Sequence, residues 1–229
     1  MFVPLHDDTP LRMIRFQYVT VSILLGNIVV FLMTGAFQSE AYLANVATVF
    51  GVVPSDLTHI SQNIPYSPIP ESLTLVTYMF LHAGWLHLIS NMLFLWVFAD
   101  NVEDAFGYVG FALFYLLCGL AGAAAHVFME PNSMAPLIGA SGAVSGVIGS
   151  YILLYPRARI WILLSFPIPL RISAIWVLGG WFVLQLLSVF ATQQPGQDEV
   201  AIWAHIGGFV AGLAITFFLR SRLVIRDRG

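Results

Sequence analysis

The chain has no lysine and a single cysteine, Cys118, and only 9% of its 229 residues are charged. Each shortage excludes something. One cysteine rules out an intrachain disulfide and leaves no cysteine cluster to hold a metal. Soluble domains carry about 25% charged residues, so 9% charged against 59% hydrophobic leaves too little polar surface for a water-soluble globule. A mean hydropathy of +0.84 agrees. All nine basic residues are arginine and the net charge is −3, which provides no basic face for nucleic acid. The main solvent of this chain is lipid.

Crossing a hydrocarbon core of roughly 30 Å takes about 20 apolar residues of helix. Windows without Asp, Glu, Lys or Arg run over 16–35, 86–99 with an uncharged approach from 72, 106–128, 137–155, 172–191 and 200–219. The pattern predicts an all-α integral membrane bundle of six spans in one domain, 16–219, with tails at 1–15 and 220–229 and a long connection at 36–72. Asp7, Asp8, Arg12 and Arg15 precede the first window and no small-residue cleavage site follows it, so it reads as a retained span. The connection holds Pro54, Pro65, Pro68 and Pro70 and is expected to fold against the bilayer surface. A further apolar patch, 160–170, is too short to cross and contains Pro167 and Pro169, so it reads as interfacial.

Six spans place Arg12, Arg15, Arg157, Arg159, Arg171, Arg220, Arg222, Arg226 and Arg228 on one side. The opposite connections, 36–72, 129–136 and 192–199, contain no basic residue. The positive-inside rule then puts both termini in the cytoplasm and the protein in the inner (plasma) membrane.

Strongly polar side chains are costly within spans and mark function by default. Here they are His82, His87, Asn91, His126, Ser141, Ser145, Gln185 and His205. Ser141 lies four residues into its window and His205 five into its own, depths of about 6 and 8 Å from the outer boundary. Gly142 and Gly146 form a G-x-x-x-G face beside Ser141, and Ala204, Gly208 and Gly212 form a small-residue ridge beside His205. Such ridges let helices approach closely in lipid. Packing along them makes a Ser141 to His205 hydrogen bond geometrically reasonable, the requirement for an activated nucleophile. His87 and Asn91, four apart, face one way on a helix and offer donors to an oxyanion together with the Ser141 N–H.

Each residue has a plainer reading. Ser141 alone is a helix-packing serine; Ser141 and His205 at one depth, together with His87 and Asn91, favour catalysis. His126 reads as interfacial, Gln185 as an interhelical hydrogen bond, Cys118 as a small core side chain, and His6 and His59 as solvent-facing. A metalloprotease would show H-E-x-x-H, which is absent. Paired aspartates within spans are also missing. A transporter would place its polar groups at mid-membrane.

Gly139-Ala140-Ser141-Gly142, Ala204-His205 followed by Gly208 and Gly212, and His82, His87 and Asn91 in H-x4-H-x3-N spacing resemble the rhomboid intramembrane serine proteases in their simple six-span bacterial form. Glu103 and Gly107 also look like that family's pattern. The resemblance implies a rhomboid-like bundle in which Ser141 is the nucleophile, His205 the general base, and His87, Asn91 and the Ser141 N–H the oxyanion hole. His82, Gly139, Gly142, Ser145, Gly208 and Gly212 would support them. It implies single-pass transmembrane proteins as substrates, cleaved near the outer boundary through an acyl-enzyme, with no metal or other cofactor. The alternative is a pseudoprotease that binds transmembrane helices without cutting. Two positions depart from the pattern: Ser145 stands where an aromatic often stacks on the histidine, and 36–72 lacks the Trp-Arg pair of well-known members. The resemblance therefore names no residue that orients His205 or anchors that connection.

Overall fold

The computed structural model describes residues 2–58, 68–164, 168–191 and 202–223. The expectations about His59, Pro65, Pro167, Arg226, Arg228 and the 192–199 connection lie outside the described residues. In chain order the elements are β1 (Phe2–Asp7), α1 (Tyr18–Thr34), α2 (Glu40–Phe50), α3 (Pro54–Thr58), α4 (Glu71–Thr77) with a 3₁₀ turn at Tyr78–Phe80, α5 (Trp85–Phe106), α6 (Tyr108–Met129), α7 (Ser141–Leu154), β2 (Arg159–Leu164), β3 (Pro169–Ser173), α8 (Ala174–Ala191) and α9 (Ile202–Leu219).

Every charge-free window holds a helix, but the helices differ in reach. By length and composition, α6 and α9 can cross a membrane, and the pair Glu71–Phe80 and Trp85–Phe106, bent by 82°, makes a third candidate. The apolar helices Tyr18–Thr34, Ser141–Leu154 and Ala174–Leu187 are shorter. Length thus supports two or three spans among the described residues, fewer than the expected six. Exposed apolar side chains such as Leu25 and Met33 on α1, Leu113 and Leu117 on α6, Trp176 and Leu184 on α8 and Phe217 on α9 give the bundle a surface suited to lipid.

The all-α expectation needs one correction. At the end of the bundle where α5 terminates, β1, β2 and β3 form an antiparallel sheet in that order. The patch read as interfacial is a hairpin: Ile160 and Ile162 are buried, whereas Arg159 is exposed and Trp161 half-buried, a period of two that β-branched residues favour. The segment expected as a tail supplies the third strand. Asp8 pairs with Arg171, whose guanidinium lies 5.8 Å from the Trp161 ring centre.

Two adjacent carboxylates of α5 tie this end to α1. A helix start leaves backbone N–H groups without partners, and Gln17 supplies no side-chain cap. Glu103, fully buried, accepts from the amides of Val19 and Thr20 at 3.0 and 2.7 Å and from Thr20 Oγ1 at 2.6 Å. Asp104 accepts from the amides of Arg12, Met13 and Ile14 at 2.9, 2.7 and 2.7 Å. Gly107, at φ +71°, then turns the chain into α6.

α7 forms the centre of the molecule, with Gly142 to Tyr151 buried without interruption. Its closest neighbour is α9. A Cβ on Gly208 would lie 1.9 Å from Gly142 O, and one on Gly212 2.1 Å from Gly146 O, so the two backbones touch. Lower down, Thr216 Oγ1 donates to Ser150 Oγ at 2.8 Å.

Gly212→Ala is expected to lower thermal stability in detergent by about 1–3 kcal/mol or more, because the methyl meets backbone that cannot step aside. Gly180→Ala on α8, where nothing lies within 4 Å of an added Cβ, should be neutral or stabilise by about 0.5–1 kcal/mol. Equal melting temperatures for the two variants would contradict the crossing. Burial also pushes the Asp7 carboxyl above its ordinary value, although Tyr151 OH donates to it. A raised folded pKa favours the folded state below the ordinary carboxylate value and loses that contribution as pH rises through the raised value. Asp7→Asn keeps an acceptor and removes the charge. Its melting temperature should equal or exceed that of the native chain at neutral pH, with the difference shrinking as pH falls through the raised Asp7 value and gone below about pH 4.

Candidate active site

The sequence predicts Ser141 one turn inside its span, but it is the first residue of α7. The chain before it is held out of helix. Val52 and Leu137 exchange backbone hydrogen bonds of 3.0 and 2.8 Å, the Gly139 amide donates to Tyr78 O at 2.9 Å, and Gly139 adopts φ +122°. The first backbone bond of the helix is from the Val144 amide to Ala140 O, at 3.0 Å. The amides of the opening turn, Ser141 included, therefore point out of the helix at the positive end of its dipole. A nucleophile here stands beside ready-made anion donors.

The register of α7 on α9 follows from the glycines. Gly142 lies between Ala204 and Gly208, and Gly146 between Gly208 and Gly212. Carried one residue up, the same register sets Ser141 level with His205. His205 is buried at 8% exposure, whereas Ser141 is half-buried. Among the described residues no hydrogen bond joins them; His205 Nδ1 instead lies 3.0 Å from Gln185 Oε1 on α8. The Trp181 ring, one turn earlier on α8, is centred 6.1 Å from the His205 ring. Catalytic hydrogen bonds are often long before substrate arrives.

On the other side of Ser141 is the start of α5. An added Cβ at Gly139 would lie 2.7 Å from His87 Nε2 and 3.8 Å from Ser141 Oγ, so imidazole and hydroxyl border one small space that only glycine leaves open. The Ala83 amide donates to His87 Nδ1 at 3.4 Å, which leaves the ring proton on Nε2, facing that space. Asn91 is buried one turn on, and its amide donates to His87 O at 3.1 Å, its own helix. His82 is buried with its ring centred 5.0 Å from that of His87. Ser145 donates to Ser141 O at 2.7 Å, back along its own helix.

Some contributors were invisible in the sequence. Tyr78 donates from its hydroxyl to Gly119 O at 2.7 Å while its carbonyl holds Gly139, so one residue braces the turn from both ends. Only its place in an uncharged approach hinted at burial. Val52 anchors the 36–72 connection, which lacks the Trp-Arg pair. His126, read as interfacial, is buried. Among the described residues no three His, Cys, Asp or Glu side chains gather as a metal site requires.

The chain is similar to known proteins of one family. A sequence model described as the Rhomboid domain matches residues 70–222, from α4 to just beyond α9. RHOMBOID-like protein 6, mitochondrial, of Arabidopsis thaliana is 30% identical over 149 residues, 65% of this chain and 44% of that protein. Rhomboid protein 1, mitochondrial, of Saccharomyces cerevisiae is 28% identical over 169 residues, 70% of this chain and 45% of its own length. Rhomboid-like protease 3 of Toxoplasma gondii is 27% identical over 173 residues, 74% of this chain and 61% of its own. The matched region is thus less than two thirds of each relative. The family model covers the whole segment that carries His82, His87, Asn91, Ser141 and His205, and the chain belongs to the rhomboid family of membrane proteins.

Proposed function

We propose that this chain is an intramembrane serine endopeptidase that cuts transmembrane segments of single-pass membrane proteins near the outer boundary of the bilayer. The observation that carries the reading is the level of Ser141 with His205 across the glycine crossing, with Ser141 on the opening turn of a buried helix. The name of the Toxoplasma relative, a rhomboid-like protease, supports the same class of activity.

In this reading Ser141 Oγ attacks a backbone carbonyl of the substrate while His205 Nε2 takes the hydroxyl proton. The oxyanion forms in the space beside Gly139, where the Ser141 amide and His87 Nε2–H converge; Asn91 joins by turning its amide away from His87 O. His205 returns the proton to the leaving amine, and water resolves the acyl-enzyme. A regular helix hides its peptide bonds, so substrates with helix-weakening residues near the cut are preferred. The three shorter apolar helices complete a six-span bundle, with both termini in the cytoplasm of an inner membrane. The chemistry requires neither metal nor organic cofactor.

Ser141→Ala and His205→Ala should each abolish cleavage of a transmembrane substrate in liposomes, with folded yield unchanged; persistent cleavage by either purified variant sinks the dyad. A fluorophosphonate should label Ser141 in the native chain. A folded native chain that binds a transmembrane peptide yet takes no label is the non-cutting pseudoprotease. Asn91→Ala should retain part of the activity, since one lost oxyanion donor costs about a hundredfold to a thousandfold. Gly139→Ala should lose at least as much, because its methyl occupies the oxyanion space and is strained at φ +122°; wild-type turnover would show that the space is not used.

A further inference from the structure

The departure at Ser145 leaves His205 without the neighbour that the family pattern supplies, and its side chain bonds back to Ser141 O. The structure offers another arrangement. Gln185 and Trp181, four residues apart on α8, lie on one face of that helix, and both reach the same imidazole: Gln185 Oε1 lies 3.0 Å from Nδ1, and the Trp181 ring is inclined at 40° to the His205 ring. Trp181 also lies 6.4 Å from Phe94 on α5, which holds its indole between two helices. An amide oxygen can only accept. At 3.0 Å it selects the imidazole tautomer with its proton on Nδ1 and a bare lone pair on Nε2, the form a base needs. With His205 buried and no carboxylate bonded to it among the described residues, a neutral acceptor achieves this without placing a charge in lipid.

We infer that Gln185 is the positioning residue of His205, fixing the tautomer and direction of its ring through the Nδ1–H to Oε1 hydrogen bond, with Trp181 covering the ring in place of the absent aromatic. The inference rests on the reading of His205 as the general base. It also gives α8 a second role, because the helix that lines one side of the site carries the group that makes the base competent.

The test compares Gln185→Leu, which keeps bulk and removes the acceptor, with Gln185→Glu, which keeps an acceptor. In liposomes Gln185→Leu should lower kcat about a hundredfold with KM within about twofold, short of the roughly 10⁴-fold loss that a fully reversed tautomer causes in a serine protease triad. Gln185→Glu should recover to within about tenfold of the native chain. A packing role predicts the reverse order, with leucine tolerated and a buried glutamate harmful. The second readout needs no turnover: in the Ser141→Ala background, ¹⁵N shifts of the His205 ring should report Nδ1–H with bare Nε2, and the Gln185→Leu double variant should lose that preference. Unchanged shifts, or full activity of Gln185→Leu in a chain that still requires Ser141 and His205, overturn the inference and leave the protease reading intact. Gln185-dependent shifts in a chain that never cleaves would retain the positioning role and remove the protease reading.

Discussion

The contact on which the rest depends is the meeting of α7 and α9 backbone to backbone. In lipid, apolar surface gains nothing by leaving its surroundings, so helices associate through close packing and interhelical hydrogen bonds. Gly208 and Gly212 supply the packing against the carbonyls of Gly142 and Gly146, and the bond between Thr216 and Ser150 pins the far end. Because the crossing is in register, it also sets the level of the two side chains proposed to do the chemistry. Stability and the geometry proposed for catalysis rest here on one crossing.

A second constraint acts at the top of α7. A helix that began at residue 137 would carry Ser141 in its interior, with its amide spent on an intrahelical bond. The exchange between Val52 and Leu137 and the hold of Tyr78 on Gly139 delay the helix until Ser141 itself. The family match spans His87, Asn91 and Ser141, and the backbone explains what each is near.

Much of this was legible from residue types. Charge-free windows located all the long helices, because an ionisable side chain in lipid costs so much that its absence is a reliable mark. The ridges at 142 and 146 and at 204, 208 and 212 identified the helix pair, since only small residues permit that approach. Other features had no such mark. The hairpin was missed because 160–164 is an unbroken apolar run whose alternation shows only in burial. The late start of α7 depends on Val52 and Tyr78, far away in sequence. Gln185 was correctly read as an interhelical hydrogen bond, but its partner is a matter of three dimensions alone.

The carboxylates of Glu103 and Asp104 impose an order on biosynthesis. The amide of Thr20 leaves the ribosome 83 residues ahead of the glutamate that accepts from it, and that of Arg12 92 residues ahead of its aspartate. β1 waits longer still, for partners that begin at Arg159. These bonds therefore cannot form until α5 has been made, and β1 cannot pair until β2 has followed.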